Sequence, residues 1–436
     1  MAKQSINIGT SANDGTGSTL REAFDICNDN FTELYGGTTT ALGFKSEGTN
    51  FTGSLLIGHS TTGVISSAEN NTGIGISALD ALTSGDNNVA VGKSAGSSIT
   101  TGSYNVLLGR SAGISLSTGS ENIAIGFAAL SLEDGNGKNI AIGTNALEDL
   151  NAGADAYNVA IGHDAGRNVT TGTRNTLIGG LAGDALTTGQ RNVAVGYGAL
   201  SAEDEHGFNT AIGHNALTVL NAGSEGYNTA VGYDAGQAMT TGFRNVIIGG
   251  LAGDALTSPE GNIAIGYSSL SSETTGAFNV AIGEFALQNQ DGASNNTAIG
   301  KDAGRQITTG TQNTLIGGLA ADVLTEGSNN VAIGYNALSS ADTDARNVAI
   351  GVRALEDQNA GNNTYNVAVG YEAGKQITTG VQNTILGASA GDALTTGTDN
   401  VAVGYLALSA EDGHGRNVAI GKSALRNLDA GTDAYN

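Results

Sequence analysis

From about Ser54 onward the chain repeats one short apolar cluster: Asn, Val or Thr, Ala, Ile or Val, Gly, two variable positions, Ala, and then Gly or Leu. A representative copy is Val159-Ala160-Ile161 between Asn158 and Gly162, continued by Ala165-Gly166 and closed by Thr170-Thr171-Gly172. β-branched residues on either side of Ala alternate faces as a short strand does, and Gly turns the chain. The stretch 165–169 predicts a second short strand, and Thr171-Gly172 a second turn. Two strands and two turns would close one rung. The opening Asn recurs in steps of 17, with an occasional 19 as between Asn139 and Asn158. A fixed period of this kind belongs to stacked, quasi-one-dimensional proteins. The predicted fold is all-β: a parallel β-solenoid (β-roll) of about 22 rungs of 17–19 residues, over residues 54–436. At 4.8 Å per rung it would be roughly 100 Å long. Asn158, Asn175, Asn192 and Asn209 would then stand in a column and bond to the rungs above and below. The alternative use for these Asn residues is turn chemistry in left-handed conformations.

A slower pattern overlies the first. Nine residues into the unit, successive copies carry Gly166, Gly183, Leu200 and Leu217. Three residues further on, the Gly-type copies carry Val169 and Leu186, whereas the first Leu-type copy carries Glu203. Volume lost at one place is restored at another, as a close-packed interior requires. The true repeat is therefore four rungs, the 70 residues between Asn88, Asn158 and Asn228. Its two extra residues fall near Asn151-Ala152-Gly153, and the copy opened by Asn279 lacks them. An insertion confined to one turn reads as a surface loop.

Residues 1–36 are not repetitive. Ser18 or Thr19 can cap a helix, with Glu22 completing a capping box from Thr19. Leu20, Phe24, Cys27, Phe31 and Leu34 then recur in steps of 4, 3, 4 and 3, a heptad-like stripe on a short helix. One helix this short cannot bury its stripe alone, so it calls for copies of itself or a docking partner. Residues 37–53 read as a Thr/Gly-rich collar.

Composition narrows the function classes. The formal net charge is −23, which argues against nucleic acid and anionic membrane as partners. The single Cys excludes an intrachain disulfide framework. The opening residues do not read as a signal peptide, and no apolar run is long enough for a membrane-spanning helix, so assembly in the cytoplasm is expected. With one Pro and no three-residue period, the abundant Gly is not collagen-like.

No nucleophile, base and orienting group stand in a recognisable arrangement, so neither an enzyme nor a cofactor is expected. Glu203-Asp204-Glu205-His206 and Glu411-Asp412-Gly413-His414 read as solvated loop charge rather than as a metal site. The recurring Asp184, Asp254, Asp322 and Asp392 are too sparse for a carboxylate cage. Tyr197, Tyr233, Tyr267, Tyr335, Tyr371 and Tyr405 each follow the strand-ending Gly. They suit lateral packing between chains or rungs, with stacking on a glycan as the other use.

The unit Asn209-Thr210-Ala211-Ile212-Gly213-His214-Asn215-Ala216-Leu217 resembles the head repeats of trimeric autotransporter adhesins, and more closely the repeats of bacteriophage tail fibres. Three stretches of the start, Asn13-Asp14-Gly15-Thr16-Gly17, Leu20-Arg21-Glu22-Ala23-Phe24 and Asn28-Asp29-Asn30-Phe31, resemble the N-termini of phage virion fibre proteins. The resemblance implies a parallel homotrimer in the virion. Residues 1–36, with their apolar stripe, would dock to a phage tail or baseplate protein, and the shaft would extend toward a host surface glycan or protein. An adhesin would need a signal peptide and a membrane anchor, neither of which the sequence offers. The alternative is nonetheless a bacterial adhesin stalk or head that binds surface glycans. A new rung should begin at Tyr435-Asn436, so the array is expected to continue beyond Asn436.

Overall fold

The computed structural model describes residues 44–48, 51–58, 66–428 and 435–436. The stripe Leu20, Phe24, Cys27, Phe31 and Leu34 lies outside them. The chain divides into two compact units, one ending at Arg174 and the other beginning at Asn175.

In the first unit, β1 (Phe44–Gly48) and β2 (Phe51–Ile57) pair antiparallel. This hairpin lies across the line drawn between collar and array, so β-pairing begins before Ser54. β2 pairs in parallel with Thr72–Ile74, and a three-residue strand then recurs in every rung as far as Val159–Ile161. The second unit repeats the arrangement in fifteen strands, from Thr176–Ile178 to Val418–Ile420. Strands pair residue for residue, so Val193 faces Thr210 and Val195 faces Ile212. Each unit is a parallel β-solenoid, as the period predicts.

The expected second strand at 165–169 does not form. The chain there runs through consecutive turns, with Asp164 and Gly166 left-handed at φ 55° and 58°. Left-handed residues recur at three places in the rung, as at Arg191, Gly198 and Leu200, with φ of 57°, 62° and 53°. A strand needs extended backbone at such positions. The left-handed bends instead reverse the chain within a few residues, which lets 17 residues complete a circuit. The strand-ending glycine is fixed by backbone contact: a Cβ on Gly196 would lie 2.2 Å from the carbonyl oxygen of Gly213 in the next rung.

The middle residue of each three-residue strand is turned inward and the outer two face out. The inward residue is mostly Ala, but in one rung of each block it is large: Leu177, Ile247, Leu315 and Ile385 are fully buried. Gly183 makes room for it. A Cβ there would lie 2.8 Å from both Leu177 Cδ2 and Leu186 Cδ1. Where the strand offers Ala194 or Ala211, Leu200 or Leu217 enters the interior instead and is fully buried. The four-rung pattern is thus a packing pattern, each filled Leu being worth about 1.5–3 kcal/mol.

Candidate functional site

The opening Asn residues are buried in the turn before the strand. In the second unit, Asn192 N–H donates to Asn175 Oδ1 at 2.9 Å, and Asn209 N–H donates to Asn192 Oδ1 at 3.0 Å. The amide nitrogens then reach the turn that closes the circuit: Nδ2 of Asn175 donates to the Gly189 carbonyl and Nδ2 of Asn192 to the His206 carbonyl. In the first unit, Asn158 N–H donates to Asn139 Oδ1 and its Nδ2 to the Gly172 carbonyl. Each side chain therefore joins one rung to the next and both ends of its own circuit. Ladder and turn chemistry are two halves of one arrangement. The Thr residues add to it: Thr240 donates both N–H and Oγ1 to the Thr257 carbonyl, at 2.7 and 3.0 Å.

Glu203 and Glu411, expected as solvated loop charge, are fully buried, as are Glu133, Glu273 and Asp344. They stand once per four-rung block. Ala341 occupies the corresponding place in one block, and Asp344, three residues on, supplies the carboxyl instead. These groups anchor the outer turn of the following rung, which is widened by two residues except after Glu273, where the rung opened by Asn279 keeps the ordinary length. Glu203 Oε2 accepts from Ala222 N–H at 3.2 Å, Glu273 Oε1 from Gly292 N–H at 2.8 Å, and Asp344 Oδ1 from Ala360 N–H at 2.9 Å. Burial pushes the Glu203 carboxyl above its ordinary range, opposed by hydrogen bonds from Ala222 and His206. Burial likewise raises Glu133 and Asp344. Ligand-type atoms of Glu203, Asp204 and His206 lie within 4.8 Å of one another. Both oxygens of Glu203, however, already accept from protein donors, Oε1 from His206 N–H and Oε2 from Ala222 N–H.

Asp254, Asp322 and Asp392 are half-buried at the surface, and burial raises all three carboxyls. A second carboxylate one rung away (Asp234, Asp302 and Glu372 respectively) adds to the shift.

The outward surface carries two columns that flank the exposed strand face. The trailing column follows the strand-ending Gly and holds the tyrosines singled out above, from Tyr197 to Tyr405, all about half exposed. The structure brings Tyr197 and Tyr233 together through His214, which stacks on each at 5.5 Å. Tyr267 meets Phe285 edge-on at 5.7 Å. Gly250 and Gly318 leave space over which Tyr267 and Tyr335 lean.

The leading column is the residue just before the ladder Asn, which sequence reasoning passed over. It is left-handed and rich in Arg and aromatic residues. Arg191 lies over Phe208 at 5.1 Å, and Phe208 stacks on Tyr227 at 4.9 Å. Arg346 lies over Tyr365 and donates to its hydroxyl at 3.0 Å. The signal was present as a preference for Arg, Tyr and Phe at one phase of the repeat. Between the columns run the outer strand residues, one row of Val, Thr or Ile and one of Ile, Val or Leu, such as Ile212, Ile248 and Leu386, each more than a third exposed.

No family model, no curated protein and no solved structure matches this chain.

Proposed function

We propose that the chain is the structural shaft of a homotrimeric bacteriophage tail fibre. It would be anchored through residues 1–36 to a tail or baseplate protein and extend toward the host surface. The observation that carries this reading is where the polar chemistry goes. The ladder Asn residues, the turn Thr residues and the buried carboxylates all bond to neighbouring rungs. Side chains of these types serve catalysis elsewhere; here they tie backbone to backbone, which suits a load-bearing spacer. The resemblance of the N-terminal motifs and of the repeat to phage fibre proteins supports the setting.

The outward strand face supports self-association. Its rows of Val, Thr and Ile stack along the unit but stay part-exposed, as at Ile212 and Ile248, and an extended apolar face of that kind marks a site of association. Three copies turning these faces together would cover it. Two measurements test the reading: mass spectrometry of purified virions for this chain, and the solution mass of the purified protein. Absence from virions would remove the phage assignment, and a mass of one chain would remove the trimer.

The exposed tyrosines favour a second reading, an adhesin stalk that holds glycans. Binding of the purified chain to a glycan array, abolished by Tyr→Ala changes in the trailing column, would support it.

A further inference from the structure

Charge is segregated around the rung in a way that the overall acidity hides. In the second unit, take the seven positions from the leading column through the strand to the trailing column. They hold Arg191, Arg244, Lys301, Arg346, Arg416 and Lys422, all exposed. Against these six cations they hold only two acids, Glu284 and Asp399. The rest of residues 175–428 carries twenty-one acids and four cations. A strip with an excess of positive charge, lined with aromatic rings and apolar strand residues, therefore runs along an otherwise strongly negative unit.

The two edges of the strip differ. Four of the six cations, Arg191, Arg244, Arg346 and Arg416, stand in the leading column, whereas the tyrosines from Tyr197 to Tyr405 stand in the trailing column. Arg guanidinium over a Tyr face is a favourable pair that tolerates loss of water, whereas a carboxylate at the same place would be repelled by the ring and left unpaired. The chain already makes a pair of this kind along the leading column itself: Arg346 lies over Tyr365 at 5.6 Å and Arg416 over Tyr435 at 5.2 Å, each one rung apart.

We infer that a second copy of this chain covers the strip through a heterologous seam, the leading Arg edge of one copy against the trailing Tyr edge of the next. This rests on the homotrimer reading and specifies its contact. Two unlike edges on one face are what a closed ring of copies requires, since each copy offers one edge to each neighbour. The scarcity of acids in the strip follows, because both edges and the strand rows lose water together. An anionic polymer would also suit a positive strip, but the strand rows between the edges, Ile, Val or Leu in one and Val, Ile or Thr in the other, carry no charge and fit a protein face better.

The test places a photo-crosslinking benzoylphenylalanine at Tyr335 in the full chain. It is expressed together with an isotope-labelled chain so that crosslinks between copies can be told from those within one. The solution mass is measured on the same sample. The seam predicts an oligomeric mass and inter-copy crosslinks from position 335 to the leading column between residues 312 and 347. Arg244→Glu with Arg346→Glu should weaken assembly by about tenfold or more while circular dichroism stays unchanged. An oligomer whose crosslinks map to the acidic turns around Asp302 or Asp322, or that gives none between copies, would overturn the seam and leave the trimer standing. A monomeric mass would overturn both. Monomers that assemble only on adding a polyanion such as heparin would overturn the seam in favour of the polymer.

Discussion

The backbone N–H of Ala222 donates to Oε2 of Glu203, a fully buried carboxylate 19 residues earlier in the chain. This one bond links two sequence features that look unrelated, the acid in the third rung of a block and the wide turn in the fourth. A wide turn brings a backbone amide toward the interior, and a buried amide without an acceptor is costly. The carboxylate supplies the acceptor. Its role is structural, and its cost is the desolvation that raises its own proton affinity.

Glu203→Ala should therefore leave the Ala222 amide unpaired and destabilise the second unit by about 1–3 kcal/mol, read by denaturant unfolding. Glu203→Gln keeps an acceptor oxygen and should cost less. The folded-state affinity of Glu203 for its proton is raised. Its stabilising contribution is thus fully present below the unfolded value, near 4.3, and falls as pH rises through the higher folded value. Glu203→Gln should accordingly flatten the decline in stability between about pH 4 and neutrality; an unaltered pH profile would contradict the assignment.

Asp254→Asn tests the same sign at the surface. Burial first and Asp234 second raise this carboxyl. Removing its charge should stabilise the protein at neutral pH and do little below the ordinary carboxylate range near pH 4. Thermal melts of both proteins at the two pH values would show the difference.

Gly183→Ala tests the packing exchange. The new Cβ would meet Leu177 and Leu186 at 2.8 Å, on a backbone with φ of 56°. A loss of about 1–3 kcal/mol is expected from overpacking and left-handed strain together. Adding Leu177→Ala should recover part of the steric share but none of the backbone share, so the double variant should be less destabilised than the two single losses combined.

Glu121 occupies the leading column with φ of 60° and is exposed. Glu121→Gly relieves left-handed strain that a side chain imposes, and Glu121→Asn relieves part of it. Either should raise stability by about 0.5–1 kcal/mol in equilibrium unfolding. A loss would mean that this carboxylate makes a contact worth more than the strain.

Ile248→Arg probes the outward strand face, where Ile248 is more than a third exposed. The folded unit should tolerate the change, since the side chain does not enter the interior. The solution mass should fall toward that of one chain if the face is where copies meet.

Much of the fold was legible because the period is a property of the backbone circuit. The opening Asn, the strand triplet and the closing Gly each sit where only a few residue types fit, so the 17-residue step and the parallel stacking could be read from them. The route between strand and closing turn could not. Leu200 and Asp164 sit in left-handed conformations that neither residue type advertises. A β-branched end such as Val169 invites a strand that the bends preclude. The buried carboxylates were misread for a related reason. Runs such as Glu203-Asp204-Glu205 look like solvated loops, yet only the first member turns inward, and its partner lies one full circuit away. The tyrosines of the trailing column were visible as a repeat, whereas the leading column was obscured by the variety of its occupants: Arg191, Phe208 and Gln312 share a backbone conformation and little chemistry.

The block that pairs one buried acid with one wide turn begins and ends on the same ladder Asn and the same strand triplet. A gene that copied or deleted such a block in frame would join like surfaces to like, with no new core to invent. Reach could then evolve as a copy number, by recombination between near-identical stretches of coding sequence, faster than the chemistry of any single residue could change.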